Sequence, residues 1–208
     1  MKNFILVENS LVKRDVTILR DKSTDSAGFR NALDRVSFSI AIEISKTFEL
    51  SDYVVETPLE KTSGSRLAKQ IVLIPVLRAG LSMVHSFLQM IPDALVGHIG
   101  MQRDEKTLQP IEYYYKTPKN LEQSITILLD PMLATGGSAV SSFNSLKQKG
   151  VGRCILACLI AAPEGVKKMN KEHPDIDIYS AALDRELSSV GYILPGLGDA
   201  GDRTFGTL

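Results

Sequence analysis

The stretch ITILLDPMLATGGSAV, residues 125–140, is the part of this chain from which its fold is best predicted. Residues 125–129 are apolar or β-branched and predict a buried strand. Asp130 follows at the carboxyl end of that strand, and Gly136 and Gly137 open a helical pattern. The unpaired N–H groups and the dipole of a helix start point at one place, so this arrangement predicts an anion site. The expected ligand is a phosphate.

The composition is that of an ordinary globular protein. The chain has 208 residues, of which 44% are hydrophobic and 23% charged, and we expect one domain spanning residues 1–208. Its 24 basic residues balance 24 acidic ones, so no overall field favours nucleic acid or an anionic membrane. Binding of a phosphate must therefore depend on local structure.

Two features predict a cytoplasmic protein that does not enter a membrane. The apolar run at residues 4–7 is shorter than the core of a signal peptide, and no apolar stretch approaches about 18 residues. Cys154 and Cys158 lie four residues apart in an apolar run, on one face of a strand or a helix, and are too far apart along a strand to bridge. We expect both to be core thiols.

Apolar runs of strand length alternate with helical patterns along the chain. This alternation predicts an α/β fold with a mainly parallel central sheet flanked by helices. A leading strand is expected at residues 4–7, with Asn9 or Ser10 as the candidate helix cap, and an amphipathic helix is expected from Thr24 onward. Further strands are expected at residues 71–77, 95–100, 154–162 and 176–181.

Three shorter segments complete the prediction. Residues 53–59 read as an edge or hairpin strand, and residues 61–65 as a polar turn. Residues 111–115 are expected to return as the second arm of a hairpin. The charged segment 101–108 between the arms is a candidate mobile flap.

The carboxyl ends of the strands are the expected binding edge, since ligands of parallel sheets lie there. Arg78, Asp130 and the region of Asp184 should share that edge. The glycine-rich segment 191–206 also contains apolar residues, which predicts an ordered loop folded against the domain. Its glycines would let the backbone approach a ligand closely.

The surroundings of the phosphate site favour a sugar phosphate. No Gly-Lys-Ser/Thr follows the phosphate loop at P-loop spacing, and no Gly-x-Gly-x-x-Gly occurs after the first strand, where dinucleotide enzymes carry it. An acid just before a small phosphate loop can accept hydrogen bonds from ribose hydroxyls, and Asp130 is placed to do so. Residues 134–138 would then hold the 5′-phosphate through N–H and hydroxyl donors.

Four segments carry a resemblance to a known family. LLDPMLATGGSA at residues 128–139 resembles the phosphoribosyl-diphosphate loop of the type I phosphoribosyltransferases, and its Asp-Pro start is similar to that of the uracil-specific members. PVLRAGLSM at 75–83, AAPEG at 161–165 and GYILPGLGDAGDRTFGT at 191–207 agree in the same order. The resemblance covers nearly the whole chain. It implies a single type I domain with a β-hairpin arm and a C-terminal hood that binds the base.

The resemblance also implies a reaction in pyrimidine salvage. The 5-phosphoribosyl group of 5-phospho-α-D-ribose 1-diphosphate passes to uracil and gives UMP and diphosphate, with Mg²⁺ carried on the diphosphate and no protein ligand to the metal assigned. Bond breaking is expected to precede bond making, so cations at the leaving diphosphate matter most. By family match these are Arg78 and Arg103. Asp199 is the candidate that assists proton loss from the base.

The same resemblance assigns the binding residues. The predicted phosphoribosyl-diphosphate site consists of Arg78, Arg103, Asp130, Pro131, Met132, Leu133, Ala134, Thr135, Gly136, Gly137, Ser138 and Asp199. The predicted uracil site consists of Ile193, Gly198, Asp199 and Ala200. Uracil presents an acceptor, a donor and an acceptor on one edge, and backbone groups of a glycine-rich loop can match this pattern.

Several of these residues also have a purely structural interpretation. Taken alone, Arg78 would more often be a surface residue or a helix start, and Arg103 a solvated charge. The Ser138 hydroxyl could serve only as a helix cap. Tyr113 to Tyr115 fit a packed hairpin or a subunit contact better than a base platform.

The sequence departs from the family pattern in three places. Many type I relatives have two adjacent acids at the start of the phosphate loop, whereas Asp130 is followed by Pro131 and only one carboxylate can hold the ribose diol. Ser188 or Ser189 stands where relatives tend to have Asn. Asp104 and Lys106, in the predicted flap, also differ from the family pattern.

Two competing functions stay open from the residues. One is a regulatory module that keeps this fold and senses a nucleotide or diphosphate; the balanced charge argues against RNA. The other is transfer to a different base. The resemblance further implies a homo-oligomer of at least two subunits, with the tyrosine hairpin a candidate contact. Activation by GTP occurs in parts of the family and is not assigned here.

Overall fold

The computed structural model describes residues 3–103 and 110–207. In these ranges a nine-stranded sheet is covered on both faces by helices, which confirms the predicted α/β fold. The helices are α1 (Ser10–Arg20), α2 (Ser26–Ser45), α3 (Leu81–Met90), α4 (Gly137–Gln148), α5 (Pro163–Glu172) and α6 (Ala200–Phe205), with a short 3-10 turn at Leu121–Gln123.

The strands fall into the central sheet and two small hairpin sheets. They are β1 (Phe4–Leu6), β2 (Leu50–Glu56), β3 (Lys61–Leu67), β4 (Ile71–Leu77), β5 (Leu95–Val96), β6 (His98–Arg103), β7 (Pro110–Lys116), β8 (Ile125–Leu129), β9 (Met132–Leu133), β10 (Arg153–Ala161), β11 (Asp177–Leu183), β12 (Glu186–Leu187) and β13 (Ile193–Leu194).

The central sheet has the order β1-β11-β10-β8-β4-β6-β7, with β5 added to β4 and β9 to β10. Every pairing in it is parallel except that of β6 with β7. The carboxyl ends of β4, β8, β10 and β11 therefore open onto one edge. The segments that follow these strands carry the predicted site residues, as this topology requires.

Side-chain caps explain where the first two helices begin. The Asn9 carboxamide accepts hydrogen bonds from the N–H groups of Leu11 and Val12, so Asn9 and not Ser10 caps α1. Asp25 accepts a 2.7 Å hydrogen bond from the Gly28 N–H and caps α2. Each cap satisfies donors that have no partner within the helix.

The core lies in two layers, one on each face of the sheet. Ile127 packs with Phe29 and Phe87 beneath the helices α1, α2 and α3, while the next residue, Leu128, packs with Phe143 of α4 on the opposite face. Successive side chains of a strand point to opposite faces, so a strand covered on both sides is apolar throughout. This explains the continuous apolar runs of β4, β8 and β10.

Two segment predictions were wrong in detail. Residues 61–65 belong to β3, which pairs antiparallel with β2, and the turn lies at residues 57–60, where the Thr57 N–H donates to the Glu60 carbonyl at 2.9 Å. The hairpin is largely exposed, so its strands lack the apolar alternation of a half-buried strand. The run 95–100 forms two short strands, β5 and β6, separated at Gly97.

The β-hairpin arm is confirmed, since β7 pairs antiparallel with β6. The flap predicted between them falls on residues 104–109, outside the described residues. Cys154 and Cys158 are both free and buried in β10, as predicted for core thiols. Within residues 3–103 and 110–207, none of the helices has both the length and the apolar character needed to cross a bilayer.

Candidate active site

The segment 130–138 forms a cradle at the carboxyl edge of the sheet. Gly136, at the N-cap of α4, has a φ of 76° and no side chain with which to cap this helix, and the neighbouring Thr135 hydroxyl accepts one long contact, 3.4 Å, from the Gly137 N–H. The N–H groups of its first turn therefore point outward without partners inside the helix. They face a cavity of about 210 Å³. Its lining consists of Asp130, Met132, Leu133, Ala134, Thr135, Gly136, Gly137, Ser138 and Ala139.

The glycine of the AAPEG segment supports this cradle from behind. A Cβ placed on Gly165 would lie 2.4 Å from the Ala134 carbonyl oxygen, which is closer than any real contact, so only glycine lets α5 pack on the loop backbone. A Cβ on Gly136 would in turn lie 3.1 Å from the Gly165 carbonyl oxygen. The conformation of the phosphate loop thus depends on α5.

Pro131, which the resemblance places in the substrate site, is not part of the cavity lining. It is buried, and its carbonyl accepts hydrogen bonds from Leu159 at 2.9 Å and Ile160 at 3.2 Å in β10. The N–H of Asp130 donates to the Ala157 carbonyl at 3.1 Å. These contacts fix the start of the loop to the sheet, which makes Pro131 a structural part of the site.

Asp130 lines the cavity and has few hydrogen-bond partners among the described residues. Its Oδ1 accepts one long hydrogen bond, 3.4 Å, from the Met132 N–H. Burial of the carboxylate raises the pKa of Asp130 to about 7, and the Met132 contact offsets this only slightly. A carboxylate short of donors is suited to accept hydrogen bonds from hydroxyl groups.

Arg78 reaches the same edge because β4 lies beside β8. Pro75 pairs with Leu129 in the parallel register, so Arg78 follows one strand near the place where Asp130 follows the other. A Cβ on Gly80 would lie 2.3 Å from the Leu129 carbonyl oxygen, so glycine is needed where the two loops meet. The topology thus brings Arg78 and Asp130 together, as predicted.

The Arg78 side chain contacts the C-terminal helix α6. Its Nη2 donates to Asp202 Oδ1 at 2.9 Å, and its guanidinium carbon lies 5.9 Å from the centre of the Phe205 ring. The Thr207 hydroxyl donates to the same Asp202 oxygen at 2.6 Å. The Thr207 and Arg78 contacts both hold the pKa of Asp202 below its usual value. Asp202 was not predicted as a site residue.

Asp199 and Ala200 stand at the start of α6, beside Arg78. Asp199 Oδ1 accepts the Asp202 N–H at 2.9 Å and caps the helix. A Cβ built on Gly201 would lie 3.2 Å from Asp199 Oδ1 and 3.8 Å from Arg78 Nη2. The predicted base-binding segment therefore lies next to the predicted diphosphate-binding arginine.

The residues 184–205, which we call the hood, are held to the domain by a partly buried ion pair. Arg20 Nη1 donates to Asp184 Oδ2 and to the Gly196 carbonyl, both at 2.9 Å, and Arg20 Nη2 also contacts Asp184 Oδ1. The Gly196 N–H donates to Asp184 Oδ2 at 2.9 Å. Both polar groups of Gly196 are thereby fixed by the Arg20–Asp184 pair.

Arg203 adds a second attachment of the hood. Its guanidinium donates to the carbonyls of Leu197 at 2.8 Å and Asp21 at 2.6 Å, and it also contacts the carbonyl of Leu19. Ile193, a predicted uracil contact, is only 3% exposed and belongs to the core. Gly198 has a φ of 81°, which favours glycine.

Sequence reasoning missed Arg20, Arg203 and Asp202. Their partners lie 164, 184 and 124 residues away, and nothing in their local sequence distinguishes them from surface charges. Arg103 ends β6, beside the end of β4, where Leu77 pairs with Gly100. The placement of the Arg103 side chain lies outside the described residues, so its role stays a prediction.

Comparison with known proteins agrees with this geometry. Residues 6–207 match the family model described as uracil phosphoribosyltransferase. The chain is 50% identical over its full length, and over the full length of the relative, to a protein named uracil phosphoribosyltransferase from Bacillus thuringiensis (strain Al Hakam).

Solved structures are similar as well. A protein structure from Aquifex aeolicus has 34% sequence identity and a TM-score of 0.92, with 97% of each chain covered. A purine phosphoribosyltransferase from Pyrococcus horikoshii, 16% identical with a TM-score of 0.54, covers 74% of this chain and 84% of its own, and shares the fold alone. The family match and the full-length identity together show that this chain belongs to the uracil phosphoribosyltransferase family.

Proposed function

We propose that the cradle and the hood form one active site, which transfers the 5-phosphoribosyl group of phosphoribosyl diphosphate to uracil and gives UMP and diphosphate. The observation that carries the proposal is the uncapped start of α4 with Asp130 and Arg78 at the same edge of the sheet. This edge offers separate groups for a phosphate, a ribose and a second anionic group. Family membership identifies the reaction that uses this combination.

The phosphoribosyl end binds in the cradle. The N–H groups of the first turn of α4 and the hydroxyls of Thr135 and Ser138 donate to the 5′-phosphate. The Asp130 carboxylate accepts hydrogen bonds from the ribose hydroxyls, which satisfies a group that, among residues 3–103 and 110–207, has the Met132 N–H as its one donor. The sugar is thereby held with its anomeric carbon toward Arg78.

Arg78 and Arg103 bind the leaving diphosphate and stabilise its charge. Charge develops on the diphosphate as the bond to the anomeric carbon breaks, and a guanidinium stabilises it through paired hydrogen bonds. In the free chain Arg78 is held by Asp202 and Thr207. The diphosphate therefore competes with Asp202 for Arg78, and this carboxylate keeps the arginine near its working position.

The base is recognised by the backbone of the hood. Gly196 is fixed through both of its polar groups, and Gly198 lets the chain approach a planar ligand closely. Asp199 uses one oxygen to cap α6, which leaves the other for the base or the ribose. We infer that Asp199 accepts the proton that the attacking nitrogen of uracil loses.

The donor set fits a magnesium ion brought by the substrate. Among residues 3–103 and 110–207 no group of three or more acidic, histidine or cysteine side chains is arranged to hold a metal. Mg²⁺ accepts oxygen ligands from phosphates with few protein ligands, and Asp130 and Asp199 are the carboxylates of the site that could complete its shell directly or through water. When bound, the ion neutralises charge on the diphosphate.

The test is a direct assay of product. Purified protein is mixed with radiolabelled uracil, phosphoribosyl diphosphate and Mg²⁺, and labelled UMP is separated and counted. We expect UMP from uracil and none when phosphoribosyl diphosphate is omitted. Cytosine, hypoxanthine and guanine serve as controls for the base. Failure to form UMP while ligand binding is intact would favour a sensor module, and product from a purine alone would favour transfer to another base.

We also propose that the enzyme is a homo-oligomer in the cytoplasm. The hairpin β2–β3 carries apolar side chains exposed by 63% at Leu50, 72% at Val54 and 95% at Leu59, a feature typical of a subunit contact. Both cysteines are free, which fits a reducing compartment. Sedimentation equilibrium with Val54→Glu as the variant tests the assembly.

A further inference from the structure

Lys168 lies on α5, one turn after Gly165, where that helix supports the cradle. A Cβ on Gly136 would lie 3.5 Å from Lys168 Cβ, and a Cβ on Gly137 would lie 3.9 Å from Lys168 Nζ. The side chain therefore runs along Gly136 and places its amine beside Gly137. Gly137 is the first residue of α4, where the outward N–H groups begin.

The cradle itself contains no positive side chain. Residues 130–138 include one acid, Asp130, and no lysine or arginine. A phosphate monoester carries a charge of roughly −1.5 to −2 near neutral pH. The start of a helix supplies only about half a positive charge. The helix start therefore neutralises only part of the phosphate charge. A full positive charge at the edge of the loop would neutralise more of it.

The acids nearest in sequence on α5 have other partners. Glu164 Oε1 accepts the Leu187 N–H at 3.1 Å, and Glu172 Oε1 lies 3.9 Å from the amine of Lys171. Neither acid pairs with Lys168 within the described ranges. Lys168 is exposed, so its amine can move the short distance toward an anion in the cradle.

We propose that Lys168 is a binding residue for the 5′-phosphate of phosphoribosyl diphosphate and of UMP. The proposal rests on the proposed function, because it assigns a further contact in the same site. Its amine approaches the phosphate from α5 while the first turn of α4 donates from the other side. Lys168 should therefore distinguish phosphorylated ligands from those that lack the phosphate, and should contribute nothing to recognition of uracil.

The test compares Lys168→Ala with Lys168→Arg and with Lys167→Ala. Lys167 is the matched control, since it is also exposed and precedes Lys168 on the same helix. Isothermal titration with ribose 5-phosphate isolates the phosphate end, because this ligand has neither base nor diphosphate. We expect Lys168→Ala to weaken its binding about 10-fold, the scale of one charge-assisted contact at a partly exposed site. Lys168→Arg and Lys167→Ala should stay within about threefold of wild type.

Steady-state kinetics provide the second readout. In Lys168→Ala the KM for phosphoribosyl diphosphate should rise about 10-fold, while kcat and the KM for uracil stay within about twofold. The salt dependence of ribose 5-phosphate binding should also become shallower, since one charge has been removed. A merely structural role of Lys168 would change the two KM values together.

Two outcomes would overturn the proposal. One is that Lys168→Ala binds ribose 5-phosphate with wild-type affinity. The other is that Lys167→Ala loses as much affinity as Lys168→Ala, which would indicate a non-specific effect of the positive charges on α5. Failure of the proposed function has a different signature. In that case the wild-type chain forms no UMP, and ribose 5-phosphate titration of the same three variants still decides the role of Lys168.

Discussion

The cradle and the hood hold the two halves of the proposed ligand pair, and they are built in opposite ways. The cradle is continuous in sequence: one strand, nine residues and a helix start place its donors, and β10 and Gly165 support it from elsewhere. The hood depends on Arg20 and Arg203, whose partners lie 164 and 184 residues away. The structure of the cradle can be predicted from its own residues, whereas the contacts that hold the hood to the domain cannot be predicted from the sequence of the hood.

The largest effect is expected at Arg78, where the two regions meet. Arg78→Ala should lower kcat by about 10² to 10³-fold, the scale of losing one preorganised charge donor at the transition state. The protein should stay folded, because the side chain is exposed and its loss leaves Asp202 paired with Thr207. Stopped assays of UMP formation measure this change. Arg185→Ala, also exposed but paired with Glu186, is the control, and near-wild-type turnover of Arg78→Ala would remove Arg78 from the mechanism.

The next change tests the support of the cradle. Gly165→Ala places a methyl group 2.4 Å from the Ala134 carbonyl oxygen, so the loop or α5 must shift. Because a misplacement of about 1 Å can cost about 100-fold, we expect kcat/KM for phosphoribosyl diphosphate to fall by roughly that factor. Uracil recognition should suffer much less. Equal losses for both substrates would show that the cradle and the hood move as one unit.

The third change concerns Asp130 and the pH dependence of stability. Its pKa is about 7 in the folded chain and should be near 3.8 in the unfolded chain, so the folded state loses stability as the pH rises from about 4 through 7. Asp130→Asn has no carboxyl group to ionise at this position, so its stability should not fall in this way as the pH rises. It should therefore raise the free energy of unfolding by about 2 kcal/mol at pH 8, after allowance for solvent screening, and by little at pH 4.

Urea unfolding at the two pH values measures this difference, and UMP formation by the same variant should be strongly reduced. A stability gain that is equal at both pH values would contradict a raised pKa of Asp130.

The smallest effect should fall on the hood. Arg20→Lys keeps the charge beside Asp184 but cannot contact that carboxylate and the Gly196 carbonyl with one rigid fork. We expect the KM for uracil to rise about 10-fold with little change in the KM for phosphoribosyl diphosphate. Arg14→Lys is the matched control on α1, since its partner Asp15 retains Arg35. A rise in both KM values would show that Arg20 supports the whole site.

What could be predicted from the sequence differs in the same way between the cradle and the hood. The strand, the turn and the helix of residues 125–140 were predictable because their apolar period and glycines are local signals, and the segment 191–207 was recognised by resemblance. The hairpin strand β3 was mistaken for a turn because an exposed strand carries no apolar period. Arg20 was not found because its only signal is the spatial proximity of Asp184 and Gly196.

The raised pKa of Asp130 has a consequence for proton balance. Near pH 6 most free chains would hold a proton on this carboxyl group, since its pKa is about 7. Ribose hydroxyls that donate to the carboxylate favour its ionised form, so ligand binding should expel that proton into solution. The heat of binding would then depend on the ionisation enthalpy of the buffer, and acidification of the surroundings would weaken binding without any separate regulatory site.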